Sequence, residues 1–163
     1  MKSTDKFLIG IVAGIVLLIV AAFVVTLTRP EPTYQAEDSP EGVAHNYLLA
    51  LQEEDFERAY GYLSSTLEGY PASADKFAEH VQDYSWRFRL DVDTTLAVES
   101  ARVTGNWAVV KVRESRFDGG DLFDSRQSTN VFEMELQLES GEWKIVDADY
   151  YFVWCWKRDE GCR

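Results

Sequence analysis

The chain has 163 residues, with 28 acidic against 16 basic side chains and a formal charge of −12. Such a balance repels nucleic acid, so no nucleic-acid partner is expected. Hydrophobic residues make up 46% of the chain, and the stretch 40–163 is long enough for one packed core but not two.

Residues 1–6 carry Lys2 and Lys6 against Asp5, and Phe7 to Leu27 then runs for 21 residues without a charge. About 20 apolar helical residues cross a hydrocarbon core of roughly 30 Å, and a helix satisfies its own backbone there. The expectation is a single transmembrane helix over 7–27 in contact with the lipid bilayer. The basic leader 1–6 is then cytoplasmic and the remainder extracytoplasmic, at the cell membrane. A secretory signal peptide is the rival. Its apolar region is about 7–15 residues and ends in a small-x-small site. The longer run here closes on Val25-Thr26-Leu27-Thr28, a poor cleavage site, which favours an uncleaved signal anchor. Gly10 and Gly14 form a G-x-x-x-G pattern of the kind that lets two helices pair, so a homodimer is one expected arrangement.

Residues 28–39 contain Pro30, Pro32, Arg29, Glu31, Glu37 and Asp38 without apolar periodicity and read as an extended linker. Ser39-Pro40-Glu41 is a helix start, with a capping hydroxyl, proline in the first turn and an early acid. Val43, Ala44, Tyr47, Leu48 and Leu51 share one helical face. A second short helix begins near Asp55, with Phe56, Ala59, Tyr60 and Leu63 as its apolar side. Ser73 caps a third, in which Phe77, Val81 and Tyr84 align.

The period then becomes two. Trp86, Phe88, Leu90 and Val92 alternate with charged residues, which predicts a strand. Further strands are expected over 96–103, 107–117, 132–138 and 143–152, separated by Gly105-Asn106, Asp118-Gly119-Gly120-Asp121 and Ser140-Gly141-Glu142. Three helices followed by antiparallel strands predict an α+β domain with the helices covering one face of a curved sheet.

The stretch Ala44 to Leu67 resembles the opening helix pair of NTF2-like domains, through Asp55, Phe56, Ala59 and Tyr60. Gly141-Glu142-Trp143 with Ile145-Val146 is similar to that family's last hairpin. The resemblance covers about residues 40–154. It implies a cone-shaped α+β fold of the SnoaL or ketosteroid-isomerase type, with a curved sheet around a long helix and an internal pocket. It implies no single activity, since members include isomerases, dehydratases and membrane-anchored assembly domains.

Enzymes of that fold place an acid or a His–Asp pair inside the cone. Asp147 and Asp149 fall on the strand face of Trp143, Ile145 and Tyr151, because residues two apart point the same way. Inward, they are candidates for general acid–base chemistry. His80 lies near the margin of the third helix's apolar stripe and is a third candidate, while His45 is expected at the surface. No nucleophile elbow, phosphate loop or zincin motif occurs, so no catalytic residue is assigned and no cofactor or metal is expected. Asp118, Asp121 and Asp124 lack EF-hand spacing and read as a polar turn. Glu133, Glu135 and Glu139 read as a solvent face, paired across to Lys111 and Arg113. Tyr47, Tyr60, Trp86, Phe88 and Trp143 are the expected pocket lining. Cys155 and Cys162, the two cysteines, suggest a disulfide rather than a metal site in an exported domain. So small a loop is expected to pin the tail.

The function read from this is a membrane-tethered, non-enzymatic module that binds a small apolar ligand or assembles with a membrane-protein partner. The alternative is a SnoaL or ketosteroid-isomerase-type enzyme using pocket carboxylates.

Overall fold

The structure, a computed structural model, describes the backbone of residues 3–27, 32–89, 94–118 and 126–162, and the side chains of 9–24, 32–89, 94–116 and 128–162. The chain forms two units, Met1–Pro32 and Thr33–Arg163.

The first unit contains one helix, α1 (Ser3–Leu27). It corrects the expected membrane span: among the described residues no helix is long and apolar enough to cross a membrane. The transmembrane helix over 7–27, and the signal anchor built on it, do not stand.

The second unit begins earlier than the composition of 28–39 suggests, because residues 33–39 are docked rather than extended away. The buried Asn46 side chain exchanges two hydrogen bonds with the Gln35 backbone, accepting from its N–H at 2.7 Å and donating to its carbonyl at 2.9 Å. Glu37 accepts from Tyr62 Oη at 2.7 Å, and the Arg58 guanidinium stacks 3.4 Å over the Tyr34 ring. Gly42 permits this docking. A Cβ there would sit 2.0 Å from the Ala36 carbonyl oxygen, closer than any side chain tolerates.

Four helices follow: α2 (Pro40–Gln52), α3 (Phe56–Gly61), α4 (Ala74–Asp83) and α5 (Ser85–Phe88). Ser39, Asp55 and Ser73 cap the first three by accepting from Gly42, Arg58 and Lys76 backbone N–H groups, as their sequence positions predict. The fourth corrects the strand expected over 86–92. Arg87 N–H reaches the Tyr84 carbonyl and Arg89 N–H the Ser85 carbonyl, both at 2.7 Å, so the chain coils once more. Arg89 ends the turn at φ +51°. Within a helix two positions differ by about 200°, so Trp86 is exposed while Phe88 is fully buried. Residues 90–93 lie outside the described residues.

The strands β1 (Thr94–Thr104), β2 (Trp107–Asp118), β3 (Arg126–Glu139) and β4 (Glu142–Ala148) form one antiparallel sheet in sequential order. Ser140 and Gly141 both take positive φ, which suits the tight β3–β4 turn. Alternation in β2 and β3 buries Ala108, Val110, Val112, Phe132, Met134 and Leu136 on the concave face, against α2 and its neighbours. On the other face Lys111 pairs with Glu133, its partner across the ladder, at 3.6 Å, as read from sequence. Arg113 instead pairs with Glu99 of β1.

β4 stops at Ala148 instead of running to Phe152. The chain then turns through Tyr151 at φ +60° into a 3-10 turn over Trp154–Lys157. Cys155 and Cys162 form the expected disulfide, with Cα atoms 5.1 Å apart. The segment it closes is not peripheral. Trp156 is fully buried, stacked on Phe77 at 5.3 Å and edge-on to Phe152 at 4.9 Å. Its indole N–H donates to His80 Nδ1 at 2.9 Å. Gly69 lets the tail approach: its N–H donates to the Trp156 carbonyl at 3.0 Å, and a Cβ would meet the Cys155 oxygen at 2.3 Å.

Candidate functional site

Strand β2 continues its inward alternation past Val112 to Glu114, which is 1% exposed and the one buried carboxylate among the described residues. Burying a charge costs several kcal/mol unless it is paired and hydrogen-bonded, and Glu114 is both. Its Oε2 accepts from Arg89 Nη1 and, at 3.0 Å, from Arg116 Nη2. Its Oε1 accepts from Tyr151 Oη at 2.9 Å. Tyr47 Oη in turn donates to the Tyr151 carbonyl at 2.6 Å, which ties α2 to the cluster. Burial, then the Glu114 charge, raises the Tyr151 phenol well above its ordinary value, so it remains a donor. The Arg89 guanidinium also lies 4.0 Å over the Tyr150 ring.

Arg89 and Tyr151 have a left-handed backbone, at φ +51° and +60°. Non-glycine residues in that region carry strain that concentrates at functional positions. Register places Thr94 and Leu96 of β1, and Ser128 and Asn130 of β3, beside Arg116 and Glu114 on the same face. A pocket of about 220 Å³ opens here, lined by Arg89, Glu114, Arg116, Ser128, Thr129 and Asn130.

The carboxylates picked out by sequence are elsewhere. Leu136 pairs with Ile145 but Glu135 with Asp147, so Val146 is an extra residue in β4. This bulge reverses the alternation: Ala148 turns inward, and Asp147 and Asp149 leave the face of Trp143 and Ile145. Asp147 pairs with Lys157 and lines an open pocket of about 330 Å³ with Arg87 and Trp154. Asp149 is exposed and accepts from the Glu133 backbone N–H at 3.1 Å. Neither has a Tyr or His hydrogen-bond partner among the described residues. His80 is half-buried and spends Nδ1 on Trp156. Burial lowers its pKa, the effect of Lys76 adds to this, and Asp83 and Glu79 oppose it.

The five aromatic residues expected to line one pocket do not meet in one. Tyr47 and Phe88 are core residues, Tyr60 stacks on Tyr70 at 4.9 Å, and Trp86 is at the surface. Trp143 lines an open surface pocket of about 380 Å³ with Arg58, Tyr62 and Lys144. His45 Nε2 lies 3.1 Å from the Thr33 carbonyl. Asp121 and Asp124 lie outside the described residues, as does the Asp118 side chain. The signal for Glu114 was present in the sequence, as the fourth inward position after Ala108, Val110 and Val112. A charged residue there reads at first as the solvated end of the strand.

No family model matches the chain, and no curated protein does. Among solved structures, a SEC-C motif containing protein from Rhodopseudomonas palustris aligns at 14% identity over 72% of this chain and 83% of that one, with a TM-score of 0.51. A protein assigned to the ketosteroid isomerases from Shewanella frigidimarina aligns at 21% identity over 69% and 95%, with a TM-score of 0.49. An NTF2-like protein with a cystatin-like fold from Novosphingobium aromaticivorans aligns at 13% over 66% and 75%, with a TM-score of 0.45. The second and third of these are of ketosteroid-isomerase and NTF2-like types, and at these identities the likeness concerns the fold alone.

Proposed function

We propose that residues 33–163 form a non-enzymatic binding module of NTF2-like type, taking its ligand at the mouth of the concave face. The occupied state of Glu114 carries this reading. A general base must reach the proton it removes, and both Glu114 oxygens already accept from Tyr151, Arg89 and Arg116. The outward turn of Asp147 and Asp149 leaves them on structural partners. Behind Glu114 the interior is filled by Phe77, Phe88, Phe132, Phe152 and Trp156, so a ligand enters from the rim. The Cys155–Cys162 disulfide supports a place outside the reducing cytosol.

The test is turnover. The full chain is assayed for isomerisation of a β,γ-unsaturated ketosteroid and for dehydration of a β-hydroxy carbonyl compound, alongside Glu114→Gln. The expected rate is that of buffer for both proteins. Turnover that Glu114→Gln abolishes would overturn the reading.

A further inference from the structure

We propose that the cluster at the mouth of the concave face binds a small monocarboxylate through Arg89 and Arg116. The proposal rests on reading the domain as a binding module and names the ligand class of that site.

Charge comes first. Arg89 and Arg116 converge on one carboxylate, Glu114, and the remaining lining residues, Ser128, Thr129 and Asn130, are neutral. Among the described residues the pocket lining thus carries one more positive than negative charge, in a chain whose formal charge is −12. Donors come second. A guanidinium has five N–H groups, and among the described residues each arginine directs one at Glu114. The Tyr150 ring covers a face of Arg89 and leaves its edge, where the N–H groups point. Paired N–H donors in a fixed fork match a carboxylate. Across the ladder from Arg116, Thr94 Oγ1 is buried and has no hydrogen-bond partner among the described residues.

The same features set the ligand's charge and size. A dianion such as phosphate brings a second negative charge towards buried Glu114 with no further cation among the described lining residues to answer it. A volume of about 220 Å³ is below the roughly 300–1,000 Å³ of drug-sized sites, which favours a small acid with a compact body.

Calorimetric titration of the full chain with benzoate tests this, with acetate as a smaller carboxylate and inorganic phosphate as competitor. Benzoate is expected to bind saturably, and phosphate is expected not to displace it. Arg116→Gln removes the surplus charge and leaves Arg89 to balance Glu114. It should weaken benzoate at least about ten-fold. Glu114→Gln, if folded, should tighten it. Unchanged affinity in Arg116→Gln, displacement by phosphate, or no benzoate heat up to millimolar concentration overturns the proposal. Absent binding without turnover sinks the carboxylate site alone, whereas turnover lost in Glu114→Gln sinks the module reading.

Discussion

Trp154 and Trp156 sit two residues apart beside the disulfide, and losses of very different size are expected from truncating them. Trp156 is fully buried and Trp154 is 45% exposed. A buried indole removes about 150–250 Å² from water. At about 25 cal/mol per Å² that corresponds to about 4–6 kcal/mol, and measured Trp→Ala losses in cores are about 3–5 kcal/mol. Trp156→Ala should therefore cost about 4 kcal/mol, a large share of a typical 5–15 kcal/mol. At about 3–5 °C per kcal/mol for a domain of this size, Tm should fall by roughly 12–20 °C. Trp154→Ala gives up a ring carrying Arg158 at 4.1 Å and should cost under about 1 kcal/mol. Urea unfolding followed by far-ultraviolet circular dichroism measures both. A Trp156→Ala loss no larger than that of Trp154→Ala would refute the placement of the C-terminal segment in the core.

Two further outcomes concern the same segment. Replacing both Cys155 and Cys162 by Ser releases a loop with a sequence separation of 7, worth about 2–3 kcal/mol by chain entropy. The urea midpoint should fall, and a reducing agent should produce the same fall in the wild type but none in the double variant. His80 gives a pH signature. Its folded pKa is depressed by burial, whereas the unfolded side chain titrates near about 6.5. Below that value the unfolded state binds the extra proton, so His80's contribution to stability falls as pH drops from about 6.5 towards the folded pKa. His80→Asn keeps an acceptor for the Trp156 indole without titrating. It should flatten that part of the stability–pH curve, and an equal slope in both proteins would exclude His80 as its source.

The helix caps and the sheet ladder were legible because they depend on nearest neighbours. Ser39, Asp55 and Ser73 start helices wherever a hydroxyl or carboxylate precedes an apolar period. Alternation in β2 and β3 follows from the two-residue repeat of a strand. The strand predicted over 86–92 failed for the complementary reason. Over so few residues, alternation is too weak to hold the chain in a strand: the hydrogen bonds from Arg87 and Arg89 to Tyr84 and Ser85 coil it, and Trp86 and Phe88 fall on opposite sides. The span expected over 7–27 was read from apolar length, and among the described residues no helix is long and apolar enough to cross a membrane.

Chemistry was less legible than fold. Extrapolating the strand period from Trp143 placed Asp147 and Asp149 inward, and one extra residue at Val146 turned them out. A bulge depends on the pairing partner, β3, and leaves no mark on β4 itself. The Glu114 site gathers Arg89, Glu114, Arg116 and Tyr151 from three separate segments, so no local spacing could announce it. The sequence by itself determined an acidic α+β chain, its caps, the faces of β2 and β3 and the pairing of its two cysteines, because each follows from local pattern or count. Tertiary structure alone decided which carboxylate is buried and that the C-terminal segment completes the core. Both depend on contacts between residues far apart in the chain, where packing and charge compensation choose among orientations that local propensity leaves equal.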